Sequence, residues 1–239
     1  AVALMNSKNA WRNLGQESYS SESAQTFDYD SRGLLEVVPN GNAGNISHRV
    51  PHAALLLRTG ANVLLFDYRG YGRSQGRPSE EGTYLDAQAA WDWLEQRGIP
   101  GSRILVIGES LGGGVACELA LRRATAGLVL LCTFTSVPDL AEEWFRWLPV
   151  RRFGQIRYDT RSKLARVRVP VLVVHSRADT LIGFHHAKAN LAAANEPKSL
   201  CEIGGDHNGF LEVSADRYLE GLERLFAMAR KGVSEPHSA

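Results

Sequence analysis

The sequence is poor in cysteine and methionine and carries almost no net charge. Three cysteines, Cys117, Cys132 and Cys201, stand among 239 residues. An odd number without metal-ligand spacing speaks against a disulfide framework or a cysteine zinc site. It points to buried free thiols in a reducing compartment, the cytoplasm. Formal net charge is +1, so no global field draws in a polyanion. The basic stretch Arg146, Arg151, Arg152, Arg157, Arg161, Lys163, Arg166 and Arg168 is broken by Trp and Pro. It reads as solvated surface, and nucleic acid is not an expected partner. No apolar run approaches the roughly 20 residues that cross a bilayer. The apolar start, Ala1 to Met5, is too short for a signal core and lacks a basic flank.

What remains is ordinary globular composition, 44% hydrophobic and 22% charged, in a length suited to one domain. Residues 1–32 are polar and weakly periodic; they predict loop, with one short strand near Gln25 to Tyr29. Residues 33–230 form the domain and 231–239 a tail. Within the domain, short apolar runs alternate with amphipathic stretches. Strands are expected at Leu34–Val38, Asn62–Phe66, Arg103–Ile107, Gly127–Cys132, Val171–Val174 and Ser199–Ile203. Helices are expected at Ile46–Arg58, Gly82–Gln96 (capped by Ser79), Leu111–Arg123, Phe184–Ala194 and Leu211–Met228. Apolar strands alternating with helices predict an α/β fold with a mostly parallel, doubly wound sheet. Reactive groups in such sheets gather at the carboxyl ends of the strands.

Directly after the strand Arg103–Ile107 comes Gly108-Glu109-Ser110-Leu111-Gly112. This is G-x-S-x-G at a strand-to-helix junction. A serine at such a bend projects its hydroxyl above the sheet, and the crowded backbone requires small residues two positions before and after. The N–H of Leu111 then starts a helix and is aimed at a developing oxyanion.

Here the chain resembles a known family. Gly41-Asn42-Ala43-Gly44-Asn45, Asp67-Tyr68-Arg69-Gly70-Tyr71-Gly72-Arg73-Ser74 and Gly108-Glu109-Ser110-Leu111-Gly112-Gly113 resemble successive loops of small serine α/β-hydrolases. The likeness is to the branch of small esterases and depalmitoylase-like hydrolases, and runs from about Gly41 to Ala229. It implies an α/β-hydrolase fold of eight strands, an ester or thioester substrate and no cofactor. The family opens with an antiparallel apolar hairpin, which residues 1–32 do not resemble. The sheet is therefore expected to lack an edge strand or to use a rearranged one, and a bare edge would favour a homodimer.

A serine hydroxyl needs a base within hydrogen-bond reach. His207, in Gly204-Gly205-Asp206-His207-Asn208-Gly209, falls between the last strand and the last helix and matches the family's late Gly-x-His-Asn segment. Asp179 follows the strand ending at Val174, and the order Ser, Asp, His is the one this fold uses. Asp139 is the rival acid; Asp206 adjoins His207 too closely to face it. His175 is expected to be structural. His185 and His186 suggest metal only as a pair, and no carboxylate at ligand spacing supports one, so no metal is expected. The resemblance assigns the second oxyanion donor to the N–H of Asn42, in a loop where Asn40 replaces the family's histidine. The 37 residues between Cys132 and Pro170 (a cap of about 133–169) exceed a plain connection and suggest a small helical cap. Trp144, Phe145 and Trp147 are candidates for the walls of an acyl pocket there; packing of the cap on the sheet is the equal alternative.

The expected function is hydrolysis of carboxylic esters of short to medium acyl chain through an acyl-Ser110 intermediate. Thioesterase, depalmitoylase or peptidase chemistry is the alternative within enzymes. A non-catalytic binding protein on the same scaffold is the alternative outside them.

Overall fold

The computed structural model describes residues 2–6, 9–13, 35–39, 46–147 and 155–234, with side chains for 48–147 and 155–230. Eight strands form one sheet: β1 (Val2–Asn6), β2 (Asn9–Asn13), β3 (Leu35–Pro39), β4 (Asn62–Phe66), β5 (Ile104–Glu109), β6 (Gly127–Leu131), β7 (Val171–Ser176) and β8 (Lys198–Ile203). Their order is β2-β1-β4-β3-β5-β6-β7-β8. Strands β3 to β8 run parallel, and β1 pairs antiparallel with both β2 and β4.

Seven α-helices lie among the described residues. They are α1 (Val50–Leu56), α2 (Glu80–Glu95), α3 (Gly112–Arg122), α4 (Val137–Trp144), α5 (Thr160–Leu164), α6 (Phe184–Ala193) and α7 (Phe210–Ser234). Successive side chains of a strand point to opposite faces, so strands covered on both sides, such as β6, are apolar almost throughout. Leu64, Val106, Leu128 and Leu130 pack under Trp91, Leu94, Val115 and Leu119 of α2 and α3. Val63, Leu65, Leu105, Ile107 and Val129 pack on the other face against Leu56, Tyr218, Leu222 and Phe226 of α1 and α7. Local chemistry sets the helix ends. Ser79 caps α2 by accepting the Gly82 N–H, with Glu80 and Glu81 in the positive first turn. Helix α7 is interrupted at Ser214, whose hydroxyl accepts the Gly204 N–H at 2.8 Å.

The N-terminal expectation is corrected. Residues 1–32 are not all loop: Val2–Asn6 and Asn9–Asn13 form an antiparallel hairpin that occupies the edge of β4. The apolar run Ala1 to Met5, too short for a signal core, is long enough for a five-residue strand. Strand β2 is polar because an edge strand needs only backbone pairing. The strand expected at Gln25 to Tyr29 lies outside the described residues. The argument for a dimer through a bare β4 edge loses its premise. The tail also starts later than expected, because α7 runs on to Ser234.

The described part of the cap comprises α4 and α5. Lys163 of α5 is not solvated surface as expected. Its ammonium lies 2.8 Å from Glu118 Oε2 and donates to Tyr84 Oη at 2.6 Å, joining the cap to α2 and α3. Glu80 accepts the N–H groups of Arg157 and Tyr158 at 2.6 and 2.9 Å. All three cysteines are buried and free, as expected.

Strand β1 is hydrogen-bonded to β2 on one side and to β4 on the other, with an irregularity in the β2 ladder between Leu4 and Asn6. Ala3→Pro removes one of these bonds. It should lower the urea midpoint of unfolding, measured by far-ultraviolet circular dichroism, and increase aggregation as β4 becomes exposed.

Candidate active site

Strands β5 to β8 align along one row at which β5 and β6 end, while β7 and β8 run two residues further, to Ser176 and Ile203. Glu109 pairs with Leu131, Leu131 with Val174, and Val174 with Cys201. The chain leaves this row at Ser110, Cys132 and the loops carrying Asp179 and His207. With strands about 4.8 Å apart, Ser110 and the end of β7 are separated by roughly 10 Å, a gap side chains and loops can close.

Ser110 has φ +54°, in the left-handed region that disfavours side chains. Its N–H donates to Leu131 O at 2.9 Å, and the Gly113 N–H donates to Ser110 O at 3.1 Å, which pins the turn between sheet and helix. The flanking glycines are needed for space. A Cβ on Gly108 would lie 2.5 Å from Gly112 O, and one on Gly113 would lie 2.2 Å from Thr133 Cγ2. This close approach seats α3 on β6 and leaves Ser110 half-buried. Leu111, the expected oxyanion donor, opens α3. Its expected partner, Asn42, lies outside the described residues.

Asp179 and His207 are brought together. Their side chains meet at 2.7 Å between Asp179 Oδ2 and His207 Nδ1, and both residues are buried. The other carboxylate oxygen accepts the N–H groups of Leu181 and Ile182 at 2.9 and 2.8 Å. Burial opposes the charge on Asp179. The His207 hydrogen bond and the two N–H groups outweigh it and hold the carboxyl below its ordinary range. An ionised Asp179 accepts from Nδ1–H, which leaves His207 Nε2 as a base.

The rivals are occupied elsewhere. Asp139 accepts from the Thr135 hydroxyl at 2.6 Å and lies 3.8 Å from Arg161. Asp206 shapes the His207 loop by accepting the N–H groups of Asn208 and Gly209 at 3.1 and 2.6 Å. The Ser176 hydroxyl, at the end of β7, donates to Gly205 O and ties the two loops together. His175 is wholly buried and structural. Its Nε2–H donates to Ile182 O at 2.8 Å, closing the turn that presents Asp179. Burial pushes its pKa down, against the opposing pull of Ile182 O and Asp179.

Two neighbours were not read from the sequence as part of the site. Cys132 Sγ clusters with the Asp179 and His207 ligand atoms within 4.8 Å, and burial pushes its thiol pKa up. The signal for it is its place one residue past β6, between the strands that end at Ser110 and Asp179. Glu109 is a fully buried carboxylate beside Ser110. Burial works against its ionisation, but His52 and Arg49 prevail and hold it below the usual carboxylate range. Arg49 makes a direct ion pair, whereas His52 Nδ1 is 3.7 Å from Oε2. The signal here is a charged residue within an otherwise apolar strand end.

The pocket candidates Trp144, Phe145 and Trp147 are exposed, Trp147 by 81%. None of them lines the cavity of about 290 Å³ formed by residues that include Phe66, Asp67, Arg69, Asp86 and Trp93. Asp67, Arg69 and Ser74 line that cavity, with Arg69 bound to Asp86 through both Nε and Nη2.

These groups predict a direction for stability against pH. His175 titrates lower when folded, so below about pH 6.5 the unfolded chain binds a proton that the folded chain refuses. Stability therefore falls as pH drops through that window. The depressed Asp179 and Glu109 add further loss at lower pH, near and below about 4. Melting temperature should decline steadily from about pH 7 to 5. His175→Asn should flatten part of this slope, the depressed His186 keeping the rest.

The profile of the alpha/beta hydrolase fold matches residues 37–159, just over half of the chain. The uncharacterized protein Rv2307c of Mycobacterium tuberculosis is 43% identical over 178 residues, which covers 74% of this chain and 63% of that protein. The lysophosphatidylserine lipase ABHD12 of Danio rerio is 33% identical over 182 residues, covering 67% of this chain and 47% of that protein. The chain thus spans less than two thirds of the length of either relative. Among solved structures, the Pyrococcus furiosus esterase Pf2001 superposes with a TM-score of 0.65 at 22% identity, covering 82% of this chain and 85% of that one. That likeness is one of fold. On the matched profile and relatives, the chain belongs to the α/β-hydrolase family.

Proposed function

We propose that this chain is a serine hydrolase that cleaves carboxylic esters of short to medium acyl chain. The observation that carries the reading is the buried Asp179–His207 hydrogen bond of 2.7 Å, at the same sheet edge as the strained Ser110. A hydrolase is the common ground of the family, and both an esterase fold neighbour and a lipase relative accord with it.

In this reading Ser110 Oγ attacks the ester carbonyl while His207 Nε2 takes the hydroxyl proton. The Leu111 N–H stabilises the oxyanion, joined by that of Asn42. Collapse of the intermediate expels the alcohol, which receives the proton from His207. Water then attacks the acyl-Ser110 ester with His207 again as base, and the acid departs. Asp179 orients the imidazole and stabilises it when protonated. The base must be neutral, so kcat/KM falls on the acid side of the profile. The two short cap helices among the described residues, with exposed aromatics at the end of α4, suit a modest acyl group. Thioesters and peptides use the same machinery and remain the alternative substrates.

Three measurements test the proposal. A fluorophosphonate probe should label Ser110 stoichiometrically, and Ser110→Ala should abolish both labelling and turnover; an unlabelled, folded wild type would leave only a binding role. Asp179→Asn should lower kcat by roughly three to four orders of magnitude, the scale seen where an orienting aspartate is lost. A p-nitrophenyl ester series should peak at short or medium chains, and a maximum at palmitate would reverse the assignment of chain length.

A further inference from the structure

A second cluster of ligand-type side chains lies where the cap meets α6. Glu143 ends α4, and His185 and His186 open α6. The sequence offers the histidine pair but no nearby carboxylate. The fold supplies one from 42 residues away. Glu143 Oε1 lies 2.7 Å from His185 Nε2 and 3.2 Å from His186 Nε2. The three ligand atoms fall within 4.8 Å of one another.

The arrangement differs from a surface ion pair in three ways. His186 is 1% exposed, and its Nε2 faces the carboxylate without hydrogen-bond geometry. Behind it, Thr135 Oγ1 donates to Asp139 Oδ2 at 2.6 Å and so presents a lone pair to His186 Nδ1 at 3.0 Å. That backing suits a ring that keeps its proton on Nδ1 and offers Nε2 as a ligand. The Thr135 N–H also approaches Nδ1 at 3.2 Å, so the ring accepts there only in its other tautomer. Finally, Gly183 leaves room for the His185 ring: a Cβ there would stand 2.7 Å from His185 Nδ1.

From these contacts we infer that Glu143, His185 and His186 form a binding site for a divalent transition ion of the zinc class, which clamps the cap helix α4 to α6. Two imidazoles and one carboxylate are a borderline donor set that suits zinc and its neighbours rather than magnesium or calcium. Bonds of about 2.0–2.1 Å in a tetrahedron place ligand atoms roughly 3.3 Å apart. The 3.2 Å pair already has that spacing; the 2.7 Å pair must open, and the His185 ring, packed on His186 with centroids 4.3 Å apart, must turn toward the ion, which the exposure of Glu143 and His185 allows. The fourth position faces solvent and takes water. The ion would fix the end of α4 from which Trp144 and Phe145 emerge. The inference does not depend on the proposed esterase chemistry.

The test is calorimetric titration of the whole, chelator-treated chain with zinc chloride. One zinc per chain should bind with micromolar affinity. Glu143→Gln and His185→Ala should each weaken binding by more than about tenfold. Both side chains are exposed, so metal-free melting temperatures should stay unchanged and confirm folding. His207→Ala, which removes a ligand from the Cys132–Asp179–His207 cluster, should leave the affinity as it was. Cobalt(II) should develop visible d–d bands that the first two variants lose. Absence of binding up to millimolar zinc, binding retained in both cluster variants, or binding lost in His207→Ala would overturn the inference.

Discussion

The backbone at Ser110 holds a conformation that an isolated chain would avoid. A serine at φ +54° persists only because its surroundings leave no alternative. The bend is tied to β6 through Leu131 O and to α3 through the Gly113 N–H. Without glycine at 108 and 113, α3 would stand off the sheet. The helix that seats on β6 is also the one that directs its first N–H groups above the sheet edge. Core packing and the placement of the half-buried Ser110 at the sheet edge are therefore one constraint.

The other half of the site rests on a chain of polar contacts from β7 to β8. His175 closes the turn on Ile182, the turn presents two N–H groups to Asp179, and Asp179 fixes the imidazole of His207. Ser176 binds the His207 loop from the other side. Burial acts against the charged forms of His175 and Asp179, and the hydrogen bonds to Asp179 keep it ionised. The buried ion pair of Glu109 and Arg49 places a second fixed charge directly beside the Ser110 turn.

Much of this was legible in the sequence because the signals are local. Gly108 to Gly112 announces the bend, and apolar strands alternating with amphipathic helices announce the sheet. Chain order and loop composition picked out Asp179 and His207, which the fold then joined. The hairpin at Val2–Asn6 and Asn9–Asn13 was missed because an edge strand needs no apolar alternation, only a partner, and that partner lies far along the chain. Glu143 was invisible beside His185 and His186 for the same reason: its nearness is a product of tertiary packing. Lys163 was misjudged because its basic neighbours are exposed, whereas its own position falls on α5 facing Glu118 and Tyr84.

The edge hairpin bears on how the molecule is made. Val2 lies against Phe66, and Met5 against Val63. Strand β1 leaves the ribosome well before its neighbour β4 exists. Joining them closes a loop of more than fifty residues, which is slow relative to local helix formation. During that delay an apolar five-residue segment has no sheet to join and is open to chaperones or to other nascent copies. Translation speed across the codons that separate β1 from β4 thus becomes a variable in the yield of the folded protein.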